Sequence, residues 1–542
     1  MSRFPRNACR WQENVNRLLV LVVLLTLPIF SGIAAASELT VSPTTENFGT
    51  VIVGTSQSKT VTVTNTSSTT LKVSRVAIYG PGFSLAGLTT PLILSAHQVA
   101  TFQVVYDPSS GAASTGGLVV ISDAADSPQR VTLSGTGWVP VGSVVPNTYL
   151  GMVLHPEVVT GQVPWPTISF GAMRLWATQT QWSALNPSEG TYNWTQLNNW
   201  FNIAAQNGKT DLIYTFGSVP QWASSKPNDQ TCVSQVTAAG SCDAPYDVNP
   251  DGSGADKLWQ DYVTALVAQS AGRIKYWELW NEPDCAWEWN GTIPQLVRMA
   301  KDAYTIIKAA DPSAMVTTPS SVNASSGHSI DIWLPAYLAA GGGNYADIVA
   351  FHGYINPALG QEPEAITKTV DQVTSSLTGA LTTKPIWNTE GGWTQNSNLP
   401  NANMEAAFVA RVYILQWFKG VQRFYWFQYG NTSTGTFWTS AGTNTAGIAY
   451  GQVYDWLVGA NLSGPCAATG TVWTCPFTKP GGIQAQAVWD ASKTCSGSTC
   501  ATSSYVPSSV YTKYTNLAGN VTSFAPGATI QIGAEPILLQ NK

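Results

Sequence analysis

The sequence predicts a multidomain protein in which a TIM (β/α)8 barrel is flanked by an N-terminal β-sandwich and a small C-terminal β domain. Residues 37–137 contain strand patterns punctuated by Gly, Asn and Pro, with no helical pattern, which is typical of a sandwich. Strand and helix patterns then alternate over residues 149–458, as in a parallel α/β barrel. Residues 459–542 again show strands alone. The chain has 542 residues, enough for several domains.

The first 36 residues have the pattern of a secretory signal. Several arginines precede an apolar run over residues 18–30, and Ala34-Ala35-Ala36 offers a cleavage site. A retained membrane anchor is the alternative, but Pro28 interrupts the run, which is also short for a spanning helix. We therefore expect a secreted, periplasmic or cell-surface protein without stable membrane insertion after cleavage.

Composition restricts the partners. Charged residues make up 11% of the chain and its net charge is −5, so the sequence predicts no basic surface for nucleic acid. With only four histidines we expect no metal site, and no organic cofactor is implied. The 22 Trp and 20 Tyr residues suit stacking on sugar rings as well as core packing. The composition favours a carbohydrate partner and leaves the oligomeric state open.

The cysteines beyond the signal segment fit an oxidising compartment. Six of them fall into three close pairs: Cys232 with Cys242, Cys466 with Cys475, and Cys495 with Cys500. Cys285 remains outside these pairs, and we expect it to carry a thiol that is not a nucleophile, because no histidine is near it in sequence.

Eight apolar runs are predicted as the barrel strands: residues 149–154, 172–176, 211–216, 274–280, 314–318, 347–351, 385–388 and 423–427. Helical patterns lie between or after them: residues 195–207, 258–269, 293–310, 363–378, 404–418 and 445–458. Residues 138–148 are predicted as a linker before the barrel. The C-terminal strands are predicted at residues 472–478, 483–489, 505–514 and 529–539.

Two of the barrel strands end in a glutamate. The fourth runs into Trp280-Asn281-Glu282-Pro283, and the seventh runs into Thr389-Glu390-Gly391. Either residue alone could cap a helix or lie in an exposed turn. Reactive groups of such barrels lie at the carboxyl ends of the strands, and two carboxyl groups there suit the hydrolysis of sugars.

The N-terminal region resembles the immunoglobulin-like family found in ciliary and bacterial surface proteins. The matching residues are Phe48-Gly49, Val63-Thr64-Asn65, Tyr106-Asp107-Pro108 and Leu133-Ser134-Gly135-Thr136-Gly137. The resemblance implies an Ig-like β-sandwich that acts as a spacer or adhesion module, and it implies no activity.

Residues 149–542 resemble the clan A retaining glycoside hydrolases through Trp280-Asn281-Glu282-Pro283 and Thr389-Glu390. Gly190-Thr191-Tyr192-Asn193-Trp194 and residues 211–222 are similar to family 39, and residues 514–539 resemble the β-sandwich that accompanies such barrels. The resemblance implies that Glu282 is the acid/base and Glu390 the nucleophile.

The same resemblance suggests further site residues. Arg174, His352 and Tyr354 would orient and stabilise Glu390, although Arg174 could instead form a structural ion pair with Glu278. Asn281 would hold the sugar 2-hydroxyl. Among the aromatic residues, Trp426 would form the floor of the cleaved subsite unless it is simple core, and Trp287 and Trp289 are subsite candidates in the loop after Glu282.

These expectations combine into a secreted retaining O-glycoside hydrolase that acts on a poly- or oligosaccharide by double displacement. One alternative is a non-catalytic carbohydrate-binding or adhesion protein with a barrel fold. The other is a transglycosylase that uses the same residues.

Overall fold

The computed structural model describes residues 38–52, 56–108, 113–138, 144–233, 237–322, 329–393, 399, 401–430 and 435–542. The described residues fall into two compact units. The N-terminal unit contains the described residues up to Gly142 together with Leu462–Pro465. The second unit contains the described residues of Ser143–Asn461 and Cys466–Lys542. The predicted signal segment and residues 139–143 of the predicted linker lie outside the described residues. Within the described part, helices long and apolar enough to cross a bilayer are not found.

The N-terminal unit is a pair of β-sheets around one core. Its strands are β1 (Leu39–Ser42), β2 (Thr45–Ile52), β3 (Gln57–Asn65), β4 (Leu71–Tyr79), β5 (Phe83–Ala86), β6 (Leu92–Leu94), β7 (Val99–Tyr106), β8 (Ala113–Ser122) and β9 (Gln129–Trp138). They pair in the orders β1-β3-β7-β5 and β2-β9-β8-β4-β6. Alternate residues of β3 and β7, such as Val61 and Val104, face the shared core, as the period of two in a strand requires.

The second unit is built on a curled parallel sheet. Its strands are β10 (Leu150–Leu154), β11 (Ala172–Leu175), β12 (Leu212–Thr215), β13 (Tyr276–Glu278), β14 (Met315–Thr317), β15 (Ser321–Val322), β16 (Val349–Ile355), β17 (Ile386–Trp393) and β18 (Val421–Tyr429). Their order is β14-β13-β12-β11-β10-β18-β17-β16-β15. Each of the eight predicted barrel strands contributes to this sheet. The fifth, residues 314–318, contains β14, whereas the short β15 lies beyond it and was not predicted.

The two edges of this sheet come from the single segment 315–322. β14 pairs with β13, while β15 pairs with β16. Thr317 pairs with Glu278 on one side and bridges to Ile348 on the other. The carboxyl ends of strands from both edges therefore lie around one central region.

Helices connect the strands. They are α1 (Pro156–Val159), α2 (Trp182–Leu185), α3 (Thr195–Gln206), α4 (Lys257–Ser270), α5 (Ile293–Ala310), α6 (Ser329–Ala339), α7 (Ala365–Ser375), α8 (Ala402–Phe418) and α9 (Thr445–Leu457). The six predicted helices are confirmed to within three residues at each end. Helix α6 was missed, because Pro335 lies inside it and its mostly apolar sequence conceals the helical period.

The C-terminal residues add short strands to the same unit. The hairpin of β19 (Trp438–Thr439) and β20 (Gly442–Thr443) precedes them in the chain. The strands that follow are β21 (Asn461–Leu462), β22 (Ala467–Thr469), β23 (Val472–Lys479), β24 (Ile483–Asp490), β25 (Cys495–Ser496), β26 (Thr499–Cys500), β27 (Ser503–Tyr505), β28 (Lys513–Thr515), β29 (Val521–Ser523), β30 (Ile530–Ile532) and β31 (Ile537–Gln540). One sheet has the order β23-β24-β31-β28-β29.

Two of the C-terminal strand predictions were wrong. Residues 505–514 and 529–539 were each predicted as one strand. In the structure a loop separates β27 from β28 within the first range, and another loop separates β30 from β31 within the second. Pro507 and Pro536 lie in these loops, and proline cannot donate a backbone hydrogen bond to a ladder.

The three predicted cysteine pairs are disulfides: Cys232–Cys242, Cys466–Cys475 and Cys495–Cys500. Cys285 is buried and lies outside them, as predicted.

Candidate active site

The structure gathers the predicted polar residues at the carboxyl ends of the strands. Arg174 lies in β11, His352 in β16 and Glu390 in β17. Glu282 follows β13, and its backbone is held in the left-handed region with φ at 39°. A left-handed conformation is costly for a residue with a β-carbon and is found most often at functional sites.

Arg174 connects the other polar groups. Its Nε donates to Glu278 Oε2 at 2.7 Å, and its Nη1 donates to Glu390 Oε2 at 2.6 Å. Its Nη2 donates to Asn281 Oδ1 at 2.8 Å. The side chain is fully buried, so these charge-assisted hydrogen bonds offset the cost of removing the cation from water. Arg174 therefore forms the ion pair with Glu278 and the contact with Glu390 at the same time.

Glu278 is the permanent counter-ion of Arg174. Thr215 Oγ1 donates to its Oε2 at 2.6 Å. Burial raises the pKa of Glu278, but the charge of Arg174, together with the hydrogen bond from Thr215, more than compensates and holds it below its ordinary value. The carboxyl is fully buried behind the site, and its lowered pKa keeps it ionised at neutral pH.

Glu390 accepts a strong hydrogen bond on each oxygen. Besides Arg174 on Oε2, Tyr354 donates its hydroxyl to Oε1 at 2.6 Å. Burial, and then the Glu390 charge, raise the pKa of Tyr354 well above its ordinary value, so this hydroxyl stays a donor. Donors to both oxygens stabilise the carboxylate anion, the form that a nucleophile needs.

Glu282 has the opposite electrostatic environment. Burial raises its pKa to about 7, with the charge of Glu278 acting in the same direction and Arg174 opposing both. His352 Nδ1 lies 2.8 Å from Glu282 Oε1. The side chain keeps 15% of its surface exposed, so it remains accessible for proton transfer.

The tautomer of His352 follows from its two partners. Arg174 Nη2 lies 3.2 Å from its Nε2, and since a guanidinium can only donate, Nε2 accepts and Nδ1 carries the hydrogen. Burial lowers the pKa of His352 to about 4, so the ring is neutral near pH 7. His352 therefore donates to Glu282 Oε1, which leaves the proton of a protonated Glu282 on Oε2.

A carboxylate oxygen of Glu282 lies within 4.8 Å of one of Glu390. The pKa of Glu282 is raised to about 7, so this carboxyl keeps its proton below that pH, while Glu390 accepts hydrogen bonds on both oxygens. Two neighbouring acids in such unlike environments can supply an acid and a nucleophile to one bond.

Two groups of described side chains have the close spacing of a metal site. Cys232 and Cys242 belong to one group, but they form a disulfide. The other group is Glu282, His352 and Glu390. Both ring nitrogens of His352 are engaged in hydrogen bonds, and Arg174 neutralises Glu390, so this donor set fits proton transfer better than metal ligation.

The aromatic candidates lie at different depths. Trp426 is fully buried against Phe437, with its Nε1 donating to Gly435 O at 2.6 Å. Trp289 is also buried, edge-on to Trp280. Trp287 is partly exposed. Their roles in binding a sugar stay predictions.

Two residues near the site were missed by sequence reasoning. Thr215, which orients Glu278, lies at the end of the third strand like the other site residues, and this position could have indicated it. Glu288 lies between Trp287 and Trp289, and burial, followed by the charges of Glu282 and Glu390, raises its pKa well above the ordinary value. A lone acid between two tryptophans in the loop after Glu282 was the signal that could have found it.

Two parts of the chain match known protein families. Residues 188–454 match the model of the Glycosyl hydrolase catalytic core family. Residues 37–129 match that of the ASPM-SPD-2-Hydin (ASH) family, which confirms the Ig-like resemblance. No curated protein sequence matches the chain.

Solved structures of glycoside hydrolases are similar in fold. A family 39 glycoside hydrolase from Bacteroides cellulosilyticus WH2 aligns with a TM-score of 0.54 and 15% identity, over 91% of this chain and 98% of that one. The catalytic domain of GH30 xylanase C from Talaromyces cellulolyticus aligns with a TM-score of 0.47 and 13% identity, over 73% and 98% of the two chains.

The family match, the fold and the paired carboxyl groups agree. The chain carries an ASH domain and a glycosyl hydrolase catalytic core, and the protein is a glycosidase.

Proposed function

We propose that this glycosidase is an exported, retaining O-glycoside hydrolase that acts on a poly- or oligosaccharide. The observation that carries the proposal is that a carboxylate oxygen of Glu282 lies within 4.8 Å of a carboxylate oxygen of Glu390. Retaining enzymes place their two carboxyl groups about 5 to 5.5 Å apart, whereas inverting enzymes need about 6.5 to 9.5 Å for a water between them.

The fold provides a second argument. Because segment 315–322 pairs with neighbours on both sides, we interpret the curled sheet as a closed (β/α)8 barrel. In such barrels the catalytic residues come from the carboxyl ends of several strands. Residues 459–542 would form the accompanying C-terminal β domain.

In the first step, Glu390 attacks the anomeric carbon while Glu282 Oε2 gives its proton to the glycosidic oxygen. The bond from the anomeric carbon to that oxygen breaks, and a glycosyl-enzyme ester forms on Glu390. Arg174 and Tyr354 orient the Glu390 carboxylate by donating to its two oxygens, and its negative charge is lost as the bond to the anomeric carbon forms. His352 keeps Glu282 in place.

In the second step, Glu282 is a carboxylate and accepts a proton from water. As this proton leaves, the water oxygen attacks the anomeric carbon, and the bond from the anomeric carbon to Glu390 breaks. Both enzyme residues return to their starting protonation, and the sugar has the configuration that it had in the substrate.

Export is favoured by the predicted signal segment and by the three disulfides, which persist in oxidising compartments. The proposed partner is a carbohydrate, and the residues of the mechanism need no cofactor.

A panel of xylo-, gluco-, manno- and galacto-configured aryl glycosides tests the proposal, with NMR of the first product formed. We expect hydrolysis of at least one member with retention. Inversion in the first turnover would refute the mechanism. Failure to cleave any glycoside would favour a binding protein, and transfer to sugar in place of water would identify a transglycosylase.

A further inference from the structure

The chain turns sharply after Glu282, and hydrogen bonds inside this turn hold it in one shape. The Cys285 amide donates to Glu282 O, and the Trp289 amide donates to Cys285 O, both at 2.9 Å. We call residues 282–290 the acid/base turn. Glu282 has an uncommon left-handed backbone, and such a conformation persists only where the surroundings enforce it. The direction of the Glu282 side chain therefore depends on the contacts of the acid/base turn.

The beginning of the acid/base turn is tied to the segment that follows β14. The Glu282 amide donates to Ser320 O at 3.0 Å. The Asp284 carboxylate accepts from the Val322 amide, with distances of 3.2 and 3.1 Å from that nitrogen to its two oxygens. These contacts hold the first residues of the turn against β15.

The far end of the acid/base turn is held by Asn290 against a segment closed by a disulfide. The Asn290 amide donates to Cys242 O at 2.7 Å, and Cys242 is bonded to Cys232. Asn290 Nδ2 donates to Asp229 Oδ2 at 3.0 Å and lies 3.4 Å from Asp243 Oδ1. Asn290 thus contacts one segment through its backbone and through its side chain.

The segment that receives these bonds is itself held in place. The Val219 amide, just after β12, donates to Ser241 O at 2.8 Å, next to Cys242. Lys226 Nζ donates to Asp243 Oδ1 at 2.9 Å, and the Asp243 side chain is 1% exposed. A cross-link restricts the conformations of the segment that it closes, so the acceptors are presented to the acid/base turn in a preorganised position.

We propose that Asn290 and the Cys232–Cys242 disulfide position the acid/base residue, Glu282, by holding the far end of the acid/base turn. This inference rests on the proposed function and concerns the proton transfer of that same site. Asn290 acts through the turn and does not need to touch substrate, so it is a positioning residue.

The proposed effect is specific to one of the two glutamates. Without the contacts at Asn290 the acid/base turn is tied at its beginning alone, and Glu282 is less firmly kept at 2.8 Å from His352 Nδ1. Displacing a catalytic group by about 1 Å can cost about a hundredfold in rate. Glu390 lies in β17 and accepts its hydrogen bonds from β11 and β16, so its attack on the anomeric carbon should persist.

The test compares the double variant Cys232→Ala/Cys242→Ala with the wild type on two glycosides of the sugar that is cleaved best. For the alkyl glycoside, whose leaving group needs a proton, kcat/KM should fall about tenfold to a hundredfold. For the 2,4-dinitrophenyl glycoside, which needs little protonation, kcat/KM should stay within about threefold. Azide should raise kcat of the double variant on the dinitrophenyl glycoside but not that of the wild type, since a displaced Glu282 activates water poorly.

Cys466→Ala/Cys475→Ala is the matched control. The Cys466–Cys475 disulfide joins residues 9 positions apart, against 10 for Cys232–Cys242, so its removal should cost a similar amount of stability. Cys475 lies in β23 of the C-terminal strands. This control should keep the wild-type ratio of kcat/KM between the two glycosides to within about twofold, because distant sites act independently.

Asn290→Ala tests the same contact in a protein that keeps all three disulfides, and it decides the matter if the double variant does not fold. Its kcat/KM should fall about threefold to tenfold on the alkyl glycoside and stay unchanged on the dinitrophenyl glycoside. Added to the double variant, Asn290→Ala should cost less than about a further twofold, because both changes act through one contact.

Equal losses on the two glycosides would assign the contact a general structural role, and unchanged kinetics in folded variants would exclude positioning. Either outcome overturns this inference while the retaining mechanism stands. A wild type that cleaves no glycoside would instead refute the proposed function, and this inference with it.

Discussion

His352 donates a hydrogen bond to Glu282 across 2.8 Å while it accepts another from Arg174. A single neutral ring thereby links the residue that holds the proton to the cation that stabilises Glu390. The histidine would fix which oxygen of Glu282 carries the proton without competing for it, since its own pKa is lowered to about 4 by burial.

The pH profile should depend on the leaving group. Glu282 must be protonated to act as an acid, and its pKa is about 7, so kcat/KM for an alkyl glycoside should fall as pH rises through about 7. The fall should approach tenfold per pH unit. A 2,4-dinitrophenyl glycoside needs little protonation and should show a flat profile over the same range. The same basic limb on both substrates would contradict the role of Glu282.

The two glutamates should be distinguished by substitution and azide. Glu390→Ala removes the nucleophile, so no substrate should be turned over at a useful rate. Glu282→Ala should still be glycosylated by a dinitrophenyl glycoside and then stall, because no base activates water. Azide should rescue Glu282→Ala and give a glycosyl azide with the substrate's own configuration. Rescue of Glu390→Ala should give the inverted azide, and exchanged outcomes would reverse the assignment.

Arg174→Lys should reduce kcat far more than it changes KM. The ammonium group keeps the charge but cannot reach Glu278, Glu390 and Asn281 together, as the planar guanidinium does. We expect kcat to fall by about a hundredfold or more. Arg423→Lys is the matched control, because Arg423 is also buried and pairs with Asp211 near the amino ends of the strands. That variant should lose stability but keep kcat within about threefold, and a similar kcat loss would point to a general packing effect.

Asp256→Asn should stabilise the protein at neutral pH. Burial, and then Asp302 and Asp247, raise the pKa of Asp256 to about 9 from an ordinary value of 3.8. The folded state thus holds a proton that the unfolded chain loses, and stability declines as pH rises from about 4 to about 9. Asparagine does not titrate, so the gain should be near zero at pH 4 and about 2 kcal/mol or more at pH 7 in urea unfolding. An equal gain at both pH values would contradict the argument.

A chain that begins at Ser143 should hydrolyse small aryl glycosides as well as the whole protein does. The ASH domain and the proposed catalytic residues belong to different compact units. The start must precede Val145, because the Val145 amide donates to Ala460 O and the Gly459 amide donates to Val145 O, both at 2.9 Å. A loss of more than about twofold in kcat/KM with folding intact would show that the ASH domain contributes to the site.

The sequence by itself determined the strands, most helices and the two glutamates. Apolar runs and helical periods are local signals, and an acid at the end of a buried strand is visible in Trp280-Asn281-Glu282-Pro283 without a structure. The exceptions were local too: Pro335 concealed a helix, while Pro507 and Pro536 divided strands that had seemed continuous.

Only the tertiary structure decided how the acids differ. Glu282 and Glu390 are both glutamates at strand ends, and nothing local separates them. The curled sheet brings Arg174 beside Glu390, 216 positions along the chain, and buries Glu282 beside a neutral His352, 70 positions away. Protonation depends on burial and on charges within a few ångströms, and these are set by long-range strand pairing in the curled sheet, which no local pattern encodes.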